Sequence, residues 1–434
     1  MTETTQTIDI LLLGGGGREH ALAMKLAESP RCGTLYIAPG NGGTAQVGEN
    51  VAIAEDDPQA VADFARGAGV GLVVVGPEAP LVAGVADAVR AAGIPCFGPG
   101  AAGAQMEGSK KFSKELMERA GIPTAAYGSF TDEESALAYV RAQGAPIVVK
   151  ADGLAAGKGV IVAETLEEAE EAVRECFSGA FGAAGSTVVV EECLTGPECS
   201  LLAFTDGKTV RPMATAQDHK RALEGDMGPN TGGMGVYSPV PIVTEDELAA
   251  MKQVMVDAVA ELAAEGIDYR GCLYGGFMLT PEGPKVLEFN ARFGDPETQV
   301  ILPRLENDLV DVMLACAEQR LDEVELAWRD AWAVAVVLTS AGYPGSYEKG
   351  KVITGIEDAE AMDGVTVYHA GTAVREDGEL VTSGGRVLAV TALGETFEAA
   401  RNLAYEACEK IDFEGKTLRH DIGLRALRGR EAWA

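Results

Sequence analysis

The chain is short of basic side chains. It carries 35 lysine and arginine residues against 66 aspartate and glutamate residues, which gives a net charge of −31 over 434 residues. A protein that binds a phosphate backbone needs a basic surface to displace counterions, and an acidic surface repels nucleic acids and anionic lipid head groups. We therefore expect no nucleic acid and no membrane as partners, and any anionic ligand must meet a locally basic pocket.

Cysteine pairs, clustered histidines and long apolar runs are also missing. The eight cysteines are scattered without a CxxC pair and the four histidines lie far apart, so neither a disulfide framework nor a zinc site is expected. No apolar stretch reaches the roughly 18 residues that indicate a membrane-spanning helix. The first residues, MTETTQTIDILLLG, lack the basic segment of a signal peptide. These absences predict a cytoplasmic protein.

Alternating strand and helix patterns occupy the first hundred residues. Short apolar runs such as DILLLG, TLYIAPG and GLVVVGPE are typical of buried strands, and the segments between them carry apolar residues at helical spacing. Strands that are apolar on both faces and alternate with helices indicate a doubly wound parallel sheet. Ligands of such a sheet bind at the carboxyl ends of its strands.

The remaining chain has a different pattern, so the overall class is α/β and α+β multidomain. Residues 124–205 show strands and helices in hairpin order, and a polar, glycine-rich stretch with a helix at 244–264 follows. A smaller module of strands and one helix begins near Trp332. The length suits about three domains, and we place them at residues 1–108, 109–328 and 329–434.

Four consecutive glycines follow the first strand and open a helix. Backbone N–H groups in such a loop and the partial positive charge of a helix N-terminus favour an anion. A dinucleotide site is the alternative, but the third glycine of GxGxxG and the acidic residue after the second strand are both missing. The pattern therefore predicts a phosphate loop for a small ligand, and two further loops would face the same crevice. The candidate substrate-binding residues here are Gly14, Gly15, Gly16, Gly17, Arg18, Glu19, Asn41, Gly42, Pro77 and Glu78.

Three lysines lie where a nucleotide phosphate would suit them. Lys110 follows Gly108-Ser109, and Lys150 ends the apolar strand PIVVK, where a buried lysine is costly unless it meets an anion. Lys158 lies in the loop 152–159, which lacks the GxxxxGK[ST] spacing of a Walker P-loop. That loop is similar to a mobile flap that covers phosphates with backbone amides.

The segment KVLEFNARFGDPE carries the strongest chemical pattern. Side chains two apart on a strand share a face, so Glu288, Asn290 and Arg292 point one way, while the residues between them, Leu287 included, point into a core. Oxygen donors beside a guanidinium suit Mg²⁺ and the phosphoryl group of a nucleotide. A weaker signal is VVVEECLTGPE, where a strand end suits an adenine edge and Glu198 suits ribose hydroxyls.

Seven motifs carry a resemblance that runs through nearly the whole chain: GGGGREHALA, PGNGGTA, GPEAPL, GSKKFSK, VVKADGLAAGKGV, DHKRALEGDMGPNTGGMG and LEFNARFGDPETQ. The sequence resembles the phosphoribosylamine-glycine ligase family, the glycinamide ribonucleotide synthetases of the ATP-grasp superfamily. The last two motifs are specific to these ligases. The resemblance implies a Rossmann-like pre-ATP-grasp domain, an ATP-grasp domain with a mobile lid at about 124–194, and a small C-terminal α+β domain.

The resemblance also implies roles for individual residues. The implied ATP-binding positions are Lys110, Lys150, Gly153, Gly157, Lys158, Gly159, Glu191, Glu192, Cys193, Leu194 and Glu198. Glu288 and Asn290 would bind the metal, and Lys150, Arg292 and Asp295 would act on the reacting groups. The residues that would line the glycine end are Asp218, His219, Lys220 and Arg221.

The implied reaction joins glycine to 5-phosphoribosylamine through glycyl phosphate. It gives glycinamide ribonucleotide, ADP and phosphate, and is the second step of de novo purine biosynthesis. The implied cofactors are ATP and Mg²⁺ (or Mn²⁺). We expect a monomer or weak dimer that can make transient contacts with neighbouring purine-pathway enzymes. Two alternatives stay open: another ATP-grasp carboxylate-amine ligase, or a non-catalytic nucleotide-binding regulator.

Overall fold

A computed structural model of the chain describes residues 7–154 and 159–429. The first strands are β1 (Ile8–Gly14), β2 (Cys32–Pro39), β3 (Glu49–Asn50), β4 (Leu72–Val75) and β5 (Cys96–Phe97). They form one parallel sheet in the order β3-β2-β1-β4-β5. The helices around it are α1 (Gly17–Ala27), α2 (Pro58–Gly67), α3 (Glu78–Val82) and α4 (Val85–Ala91). The predicted doubly wound sheet is confirmed, and its order reverses beside β1, where the carboxyl ends of strands border a crevice.

The next region is an antiparallel sheet with two covering helices, which we call the lid. Helices α5 (Ala101–Gly108) and α6 (Lys110–Arg119) lead to it. Its elements are β6 (Tyr127–Phe130), α7 (Glu133–Gln143), β7 (Ile147–Ala151), β8 (Val160–Ala163), α8 (Leu166–Phe177) and β9 (Val188–Glu192). The strand order is β6-β9-β7-β8. Buried valines on β7 and β9 face alanines and Val173 of the helices, which gives the lid its own apolar cluster.

The chain then builds a central antiparallel sheet. The elements are β10 (Glu198–Thr205), β11 (Val210–Pro212), β12 (Gln217–Asp218), β13 (Arg221–Leu223), β14 (Met227–Asn230), β15 (Gly235–Ser238), α9 (Glu245–Ala264), β16 (Gly271–Thr280) and β17 (Gly283–Asn290). Four of these strands form the sheet in the order β11-β10-β16-β17, and β13 pairs with β14 as a separate hairpin.

A β-bulge corrects one sequence-based prediction on β17. Gly276 pairs with Glu288 and Phe277 pairs with Val286, so Leu287 is an extra residue on its strand. A bulge breaks the simple alternation of faces. The prediction that Leu287 points into the core is wrong, because this side chain lines the cleft while Phe289 is buried.

The C-terminal region forms a six-stranded sheet with strands from two parts of the chain. Its further elements are α10 (Thr298–Ile301), α11 (Leu309–Ala317), β18 (Trp332–Ser340), α12 (Ile356–Glu360), β19 (Val365–His369), β20 (Thr372–Val374), β21 (Leu380–Thr382), β22 (Arg386–Gly394), α13 (Phe397–Lys410), β23 (Lys416–Thr417) and α14 (Leu424–Leu427). The order is β12-β15-β18-β22-β19, with β23 on β18. Two strands of residues 217–238 therefore lie in this sheet, across the predicted boundary at 328/329. The two domain boundaries, at 108/109 and 328/329, stay a prediction.

Short 3₁₀ turns complete the architecture at Thr44–Gln46, Gly182–Ser186, Leu302–Arg304 and Leu321–Glu323. Two large apolar clusters run through the N-terminal, central and C-terminal sheets, and the lid cluster is separate from both. Over the described ranges, no helix combines the length and apolarity needed to cross a bilayer.

Candidate active site

Three adjoining cavities lie where the parallel sheet, the lid, the central sheet and the C-terminal sheet meet. The first, of about 430 Å³, is the centre of the cleft. The second, of about 540 Å³, lies between the lid and the central sheet and shares Lys150, Glu191 and Glu288 with the first. The third, of about 370 Å³, lies between the glycine run and the C-terminal sheet and shares Asp295 and Arg386 with the first. The cavities therefore form one continuous cleft.

The central cavity has a charge balance unlike that of the whole chain. Its basic side chains are Arg18, Lys110, Lys114, Lys150, Lys220, Arg292 and Arg386, and its acidic ones are Glu78, Glu107, Glu191, Asp218, Glu288, Asp295 and Glu297. Equal numbers of both signs replace the excess of acid seen over the full sequence. The cavity is therefore far less acidic than the chain as a whole, but its lining is balanced and not basic as the net charge led us to expect.

Lys110 and Lys150 meet in the central cavity. Lys110 starts α6, whose N-cap Ser109 accepts the Phe112 N–H, and its Nζ donates to the Gly153 carbonyl at 3.1 Å. Lys150 ends β7, and its Nζ donates to the Leu287 carbonyl at 3.2 Å. Burial and then the charge of Lys150 lower the pKa of Lys110, although Glu288 opposes this effect. Two ammonium groups that line one cavity and repel each other favour an anion there.

Glu191 pairs with two lysines, one of which the sequence reasoning missed. Its Oε1 lies 2.9 Å from Lys150 Nζ and its Oε2 lies 3.0 Å from Lys114 Nζ. All three side chains are buried. Lys114 follows Lys110 by one helical turn on α6, and that spacing is the signal that could have identified it. The carboxylate predicted to border adenine therefore faces the lysines.

Glu288 and Asn290 lie together on β17, as the pattern predicts. Burial alone would raise the pKa of Glu288, but Lys220, Lys150 and Lys110 outweigh burial and lower it. The Asn290 amide is best oriented with its nitrogen donating to Glu107 Oε1 and to the Phe289 carbonyl, both at 3.3 Å. That orientation leaves the amide oxygen for another partner. An ionised carboxylate and an amide oxygen are hard donors of the kind that Mg²⁺ prefers.

Arg292 is held by two carboxylates from the N-terminal part of the chain. Its Nη2 lies 2.7 Å from Glu107 and its Nε lies 3.1 Å from Glu78. Burial would lower the pKa of Arg292, but Glu107 and Glu78 outweigh it and raise that pKa. Burial also raises the pKa of Glu107, in spite of Arg292. The sequence reasoning missed Glu107. Nothing in the residues around a single glutamate near the end of a helix indicates that it will pair with Arg292, 185 positions away.

Asp218 is the last residue of β12, and Lys220 follows it just before the β13–β14 hairpin. Burial and the charge of Glu297 raise the pKa of Asp218 well above its usual value, and within the described residues Asp218 Oδ1 is buried without a hydrogen-bond partner. Lys220 Nζ lies 3.1 Å from Glu198 and 3.7 Å from Glu288. Glu198 and Glu288 raise the pKa of Lys220. Gly233, with φ of +115°, lets the loop pass Asp218, since a Cβ there would lie 2.6 Å from Oδ1.

His219 and Arg221 support the same loop. His219 Nε2 accepts a hydrogen bond from the Gly423 N–H at 3.0 Å, and His219 Nδ1 lies 3.2 Å from the Gly235 carbonyl oxygen. Burial is the main cause that lowers the pKa of His219 to about 4, and the positive charge of Arg419 adds to it. Arg221 Nη1 donates to the Gly228 carbonyl at 2.7 Å within the hairpin. Both line the 540 Å³ cavity, and their contact with substrate stays a prediction.

The glycine run is already organised by protein carboxylates. The Gly16 N–H donates to Glu19 Oε2 at 2.7 Å, and the Arg18 N–H donates to Asp295 Oδ2 at 3.4 Å. Asp295 Oδ2 also lies 3.3 Å from Arg386 Nη2. Burial would raise the pKa of Asp295, but Arg386 and Arg18 lower it. Gly15 permits a close approach of loops, since a Cβ there would lie 2.6 Å from the Gly40 carbonyl oxygen.

The neighbouring loops are held in a similar way. Asn41 Nδ2 donates to the carbonyls of Gly15 and His369, at 3.0 and 2.8 Å, and the Gly42 N–H donates to the Thr372 carbonyl at 3.2 Å. Pro77 is the residue before α3, and Glu78 enters the cleft as a partner of Arg292. The amide of Asn41 thus joins the parallel sheet to the C-terminal region.

The other predicted nucleotide-binding residues lie along the lid side of the cleft. Glu192, Cys193, Leu194 and Glu198 line the 540 Å³ cavity, and Gly153 and Gly159 line the 430 Å³ cavity. Gly157 and Lys158 lie outside the described residues. Arg386 and Glu297 are cleft residues that the sequence reasoning missed. Arg386 reaches the cleft only through the tertiary fold, whereas Glu297 lies two residues after the predicted Asp295 in the same motif.

Family models match three consecutive parts of the chain: phosphoribosylglycinamide synthetase N domain at residues 8–107, ATP-grasp (A) domain at 108–298, and C domain at 333–425. A phosphoribosylamine-glycine ligase from Nostoc sp. is 55% identical over 421 residues, which cover 96% of this chain and 99% of the relative. One from Vibrio cholerae is 53% identical over 430 residues, which cover 98% and 100%.

Solved structures show the same relationship. The crystal structure of phosphoribosylamine-glycine ligase from Thermotoga maritima matches with a TM-score of 0.84 at 35% identity, and covers 95% of this chain and all of that one. The biotin carboxylase domain of 2-oxoglutarate carboxylase from Hydrogenobacter thermophilus, in complex with MgADP, matches with a TM-score of 0.73 at 17% identity, over 95% and 92% of the two chains. The second match concerns the fold alone.

Proposed function

Because the chain belongs to the phosphoribosylglycinamide synthetase family, we propose that its cleft joins glycine to 5-phosphoribosylamine and converts ATP to ADP and phosphate. The chain is an ATP-dependent carbon-nitrogen ligase of purine biosynthesis. The observation that supports the proposed site is the meeting of Lys110, Lys150, Glu288 and Arg292 in one buried cavity. These residues come from the lid, the helix before it and the central sheet.

ATP is proposed to lie along the first two cavities. The 540 Å³ cavity, with Cys193 and Leu194, would take adenine, and Glu198 at its rim would take the ribose. Lys150 lines both cavities and Lys110 lines the central one, so the phosphates would extend between them. A lysine ammonium is a point charge that suits phosphate oxygens.

Glu288 and Asn290 are proposed to hold the divalent metal, as Mg²⁺ (or Mn²⁺). Both fit the ion, because the lysines lower the pKa of Glu288 and the Asn290 amide nitrogen is already used by Glu107. When bound, such an ion neutralises negative charge on nucleotide phosphates. Lys220, 3.7 Å from Glu288, keeps the carboxylate ionised and fixes its position.

Glycine is proposed to enter beside Asp218 and Glu297. Asp218 has a raised pKa in spite of Lys220 and Arg386, and its Oδ1 is unpartnered, so the ammonium of glycine would supply a partner and favour the ionised carboxylate. Glu297 is fixed nearby, because its Oε1 accepts from Ser200 Oγ and Tyr274 Oη, each at 3.0 Å. Two carboxylates facing one subsite select an ammonium group over a neutral one.

The chemistry proceeds in two steps. An oxygen of the glycine carboxylate attacks the γ-phosphorus, ADP leaves, and glycyl phosphate forms. The amine of phosphoribosylamine then attacks the acyl carbon, phosphate leaves, and the nitrogen loses a proton. Arg292 and Lys150 would stabilise the charge that develops on the transferring phosphoryl group, and the two carboxylates on Arg292 would hold its guanidinium in place.

The phosphate of phosphoribosylamine is proposed to lie in the 370 Å³ cavity beside the glycine run. Gly15, Gly16 and Arg386 line this cavity, and Arg18 lines the adjoining central one. Asp295 separates the two cavities and pairs with Arg386. A phosphate here would place the ribosylamine nitrogen toward the central cavity, where the acyl phosphate would form.

A coupled assay of ADP formation tests this function. Phosphoribosylamine is made in the cuvette from ribose 5-phosphate and ammonia, with ATP and Mg²⁺ present, and glycine is added last. We expect ADP release that requires both glycine and phosphoribosylamine. Activity with other amino acids but not with glycine would favour another ATP-grasp ligase, and nucleotide binding without turnover would favour a regulator.

The oligomeric state is a further part of the proposal. We propose a monomer or weak dimer that makes only transient contacts with other enzymes of the pathway. Sedimentation velocity between 1 and 50 µM would test it, and a stable tetramer would contradict it.

A further inference from the structure

A buried chain of three charges connects helix α6 to the lid. Lys114, Glu191 and Lys150 are exposed by 2%, 2% and 6%, and the Glu191 carboxylate lies between the two ammonium groups. The two lysines touch different oxygens of this carboxylate, at 3.0 and 2.9 Å. Together, the two ammonium groups and the carboxylate carry one net positive charge.

The two lysines differ in their other contacts. Lys150 lines both cavities proposed for ATP. Lys114 Nζ donates to Thr124 Oγ1 at 2.7 Å and lies 5.6 Å from the centre of the Tyr127 ring. Thr124 Oγ1 in turn donates to the Val286 carbonyl at 2.6 Å. The ammonium of Lys114 is therefore bonded to Glu191 and Thr124, although the residue lines the central cavity together with Lys150.

The charges explain why a second lysine is useful there. With Lys114 absent, the negative charge of Glu191 would act on Lys150 alone. The Lys150–Glu191 pair would then have no net charge and would attract an incoming phosphate less. Opposite charges about 3 Å apart in a buried site interact strongly, so the carboxylate would also hold the Lys150 ammonium more tightly. A lysine as buried as Lys114 is unusual unless it is paired.

We propose that Lys114 is a positioning residue, which acts through Glu191 to keep the ammonium of Lys150 available to the phosphates of ATP. Lys114 also lines the central cavity, but its ammonium is already bonded to Glu191 and Thr124, so its proposed effect on ATP is exerted through Glu191. This inference rests on the proposed role of Lys150 and adds a residue to it. Burial lowers the pKa of Lys114 to about 8, so the residue is mostly charged at neutral pH.

Steady-state kinetics of six variants test the inference, with Lys150→Met and Glu191→Gln as references for the other four. Lys114→Met is expected to raise the KM for ATP about tenfold, equivalent to about 1.4 kcal/mol, with the KM for glycine within about twofold of wild type. Lys114→Arg keeps the charge and should lie within about threefold of wild type for ATP. The double variant Lys114→Met/Glu191→Gln removes both charges and should recover most of the lost ATP affinity. Thr124→Val removes the second partner of Lys114, together with the hydroxyl bond to the Val286 carbonyl, and should raise the KM for ATP about threefold.

The outcomes separate this inference from the proposed function. If Lys150→Met keeps near-normal turnover, the role of Lys150 is wrong, whatever the Lys114 variants do. If Lys150→Met is inactive but Lys114→Met has a wild-type KM for ATP, only the inference on Lys114 fails. Effects of Lys114→Met and Glu191→Gln that simply add would also overturn it, because they would indicate a structural role. Should Lys114→Met not fold, the Thr124→Val and Lys114→Arg results decide the question in the same way.

Discussion

The lid and the body of the molecule are held together by different forces. In the body, two apolar clusters cross from the parallel sheet into the central and C-terminal sheets. The lid cluster contains only residues of the lid, from Phe130 to Val190. Between lid and body the prominent contacts are polar, such as Lys111 N–H to Asp152 Oδ1 at 2.7 Å and Lys150 to the Leu287 carbonyl.

This difference indicates how the cleft can open without loss of the fold. Apolar contacts between sheets resist separation, whereas polar groups can exchange protein partners for water or for a charged ligand. The lid can therefore respond to the charge in the cleft while the body keeps its arrangement. The predictions below test this contrast.

The largest effect is expected on the body side of the cleft. Glu288→Gln should lower kcat/KM by roughly 10²–10³, because it removes charge at the proposed phosphoryl site, and should also lower the melting temperature, because the neighbouring lysines lose an ionised partner. Coupled ADP release and a thermal melt measure the two quantities. Glu282→Gln, at the exposed turn of the same hairpin, is the matched control and should be silent. Normal activity in Glu288→Gln would contradict the proposed metal site.

Matched core substitutions should separate the stability of the two regions. Val173 of α8 and Val259 of α9 are both buried, at 0% and 2% exposure, and lie in the lid cluster and in a body cluster. Each change to alanine should cost about 2 kcal/mol locally. Val173→Ala should speed hydrogen exchange in residues 127–192 and leave the body protected, whereas Val259→Ala should lower the main melting transition. Equal effects of both variants on all regions would show that lid and body unfold together.

A smaller, pH-dependent effect is expected from Asp218. Its raised pKa means that the folded state keeps a proton that the unfolded state releases near the usual value of 3.8, so stability falls as the pH rises above about 4. Asp218→Asn removes this loss, and its melting temperature should exceed that of wild type by roughly 2 °C at pH 7.5 and by less at pH 5.

The same variant should lose glycine binding, since the proposed ammonium partner is gone. Asp63→Asn, at an exposed position of α2, is the control and should shift the melting temperature equally at both pH values. A wild-type KM for glycine in Asp218→Asn would contradict the proposed subsite.

The smallest effect is expected at the surface of the lid. Glu170 of α8 pairs with Arg141 of α7 at 2.7 Å and with Arg174 at 2.5 Å. Exposed ion pairs contribute little and are screened by salt. Glu170→Gln should slightly speed exchange of the lid amides at low ionic strength, and the difference should vanish in 0.5 M KCl. A change in the body transition would contradict the separation of the two regions.

The sequence was sufficient for much of the fold and for the meeting of the main charged residues. Apolar runs with helical segments between them predicted the parallel sheet. The motifs around Lys110, Lys150 and Glu288 predicted residues that do line one cavity. These predictions were possible because each depends on a short segment whose apolar periodicity identifies it as a strand or a helix.

The partners of those residues could not be predicted in the same way. Glu107 meets Arg292 across 185 positions, and Arg386 meets Asp295 across 91. Such pairs depend on how the sheets pack, which no local pattern reports. The bulge at Leu287 also escaped the sequence reasoning, because simple alternation assumes an unbroken ladder.

The sharing of β12 and β15 with the C-terminal sheet has a consequence for how such chains can recombine. Val236 pairs with Ala335 and Gly235 with Val336, so the loop that carries Asp218 and Lys220 is anchored to strand β18. A chimera joined at the 328/329 boundary would take two of the six strands of this sheet from one parent and four from the other. Exchange of the C-terminal segment between distant relatives should therefore succeed only when residues 217–238 are exchanged with it. The two segments are separate in the sequence, but we expect them to be inherited together.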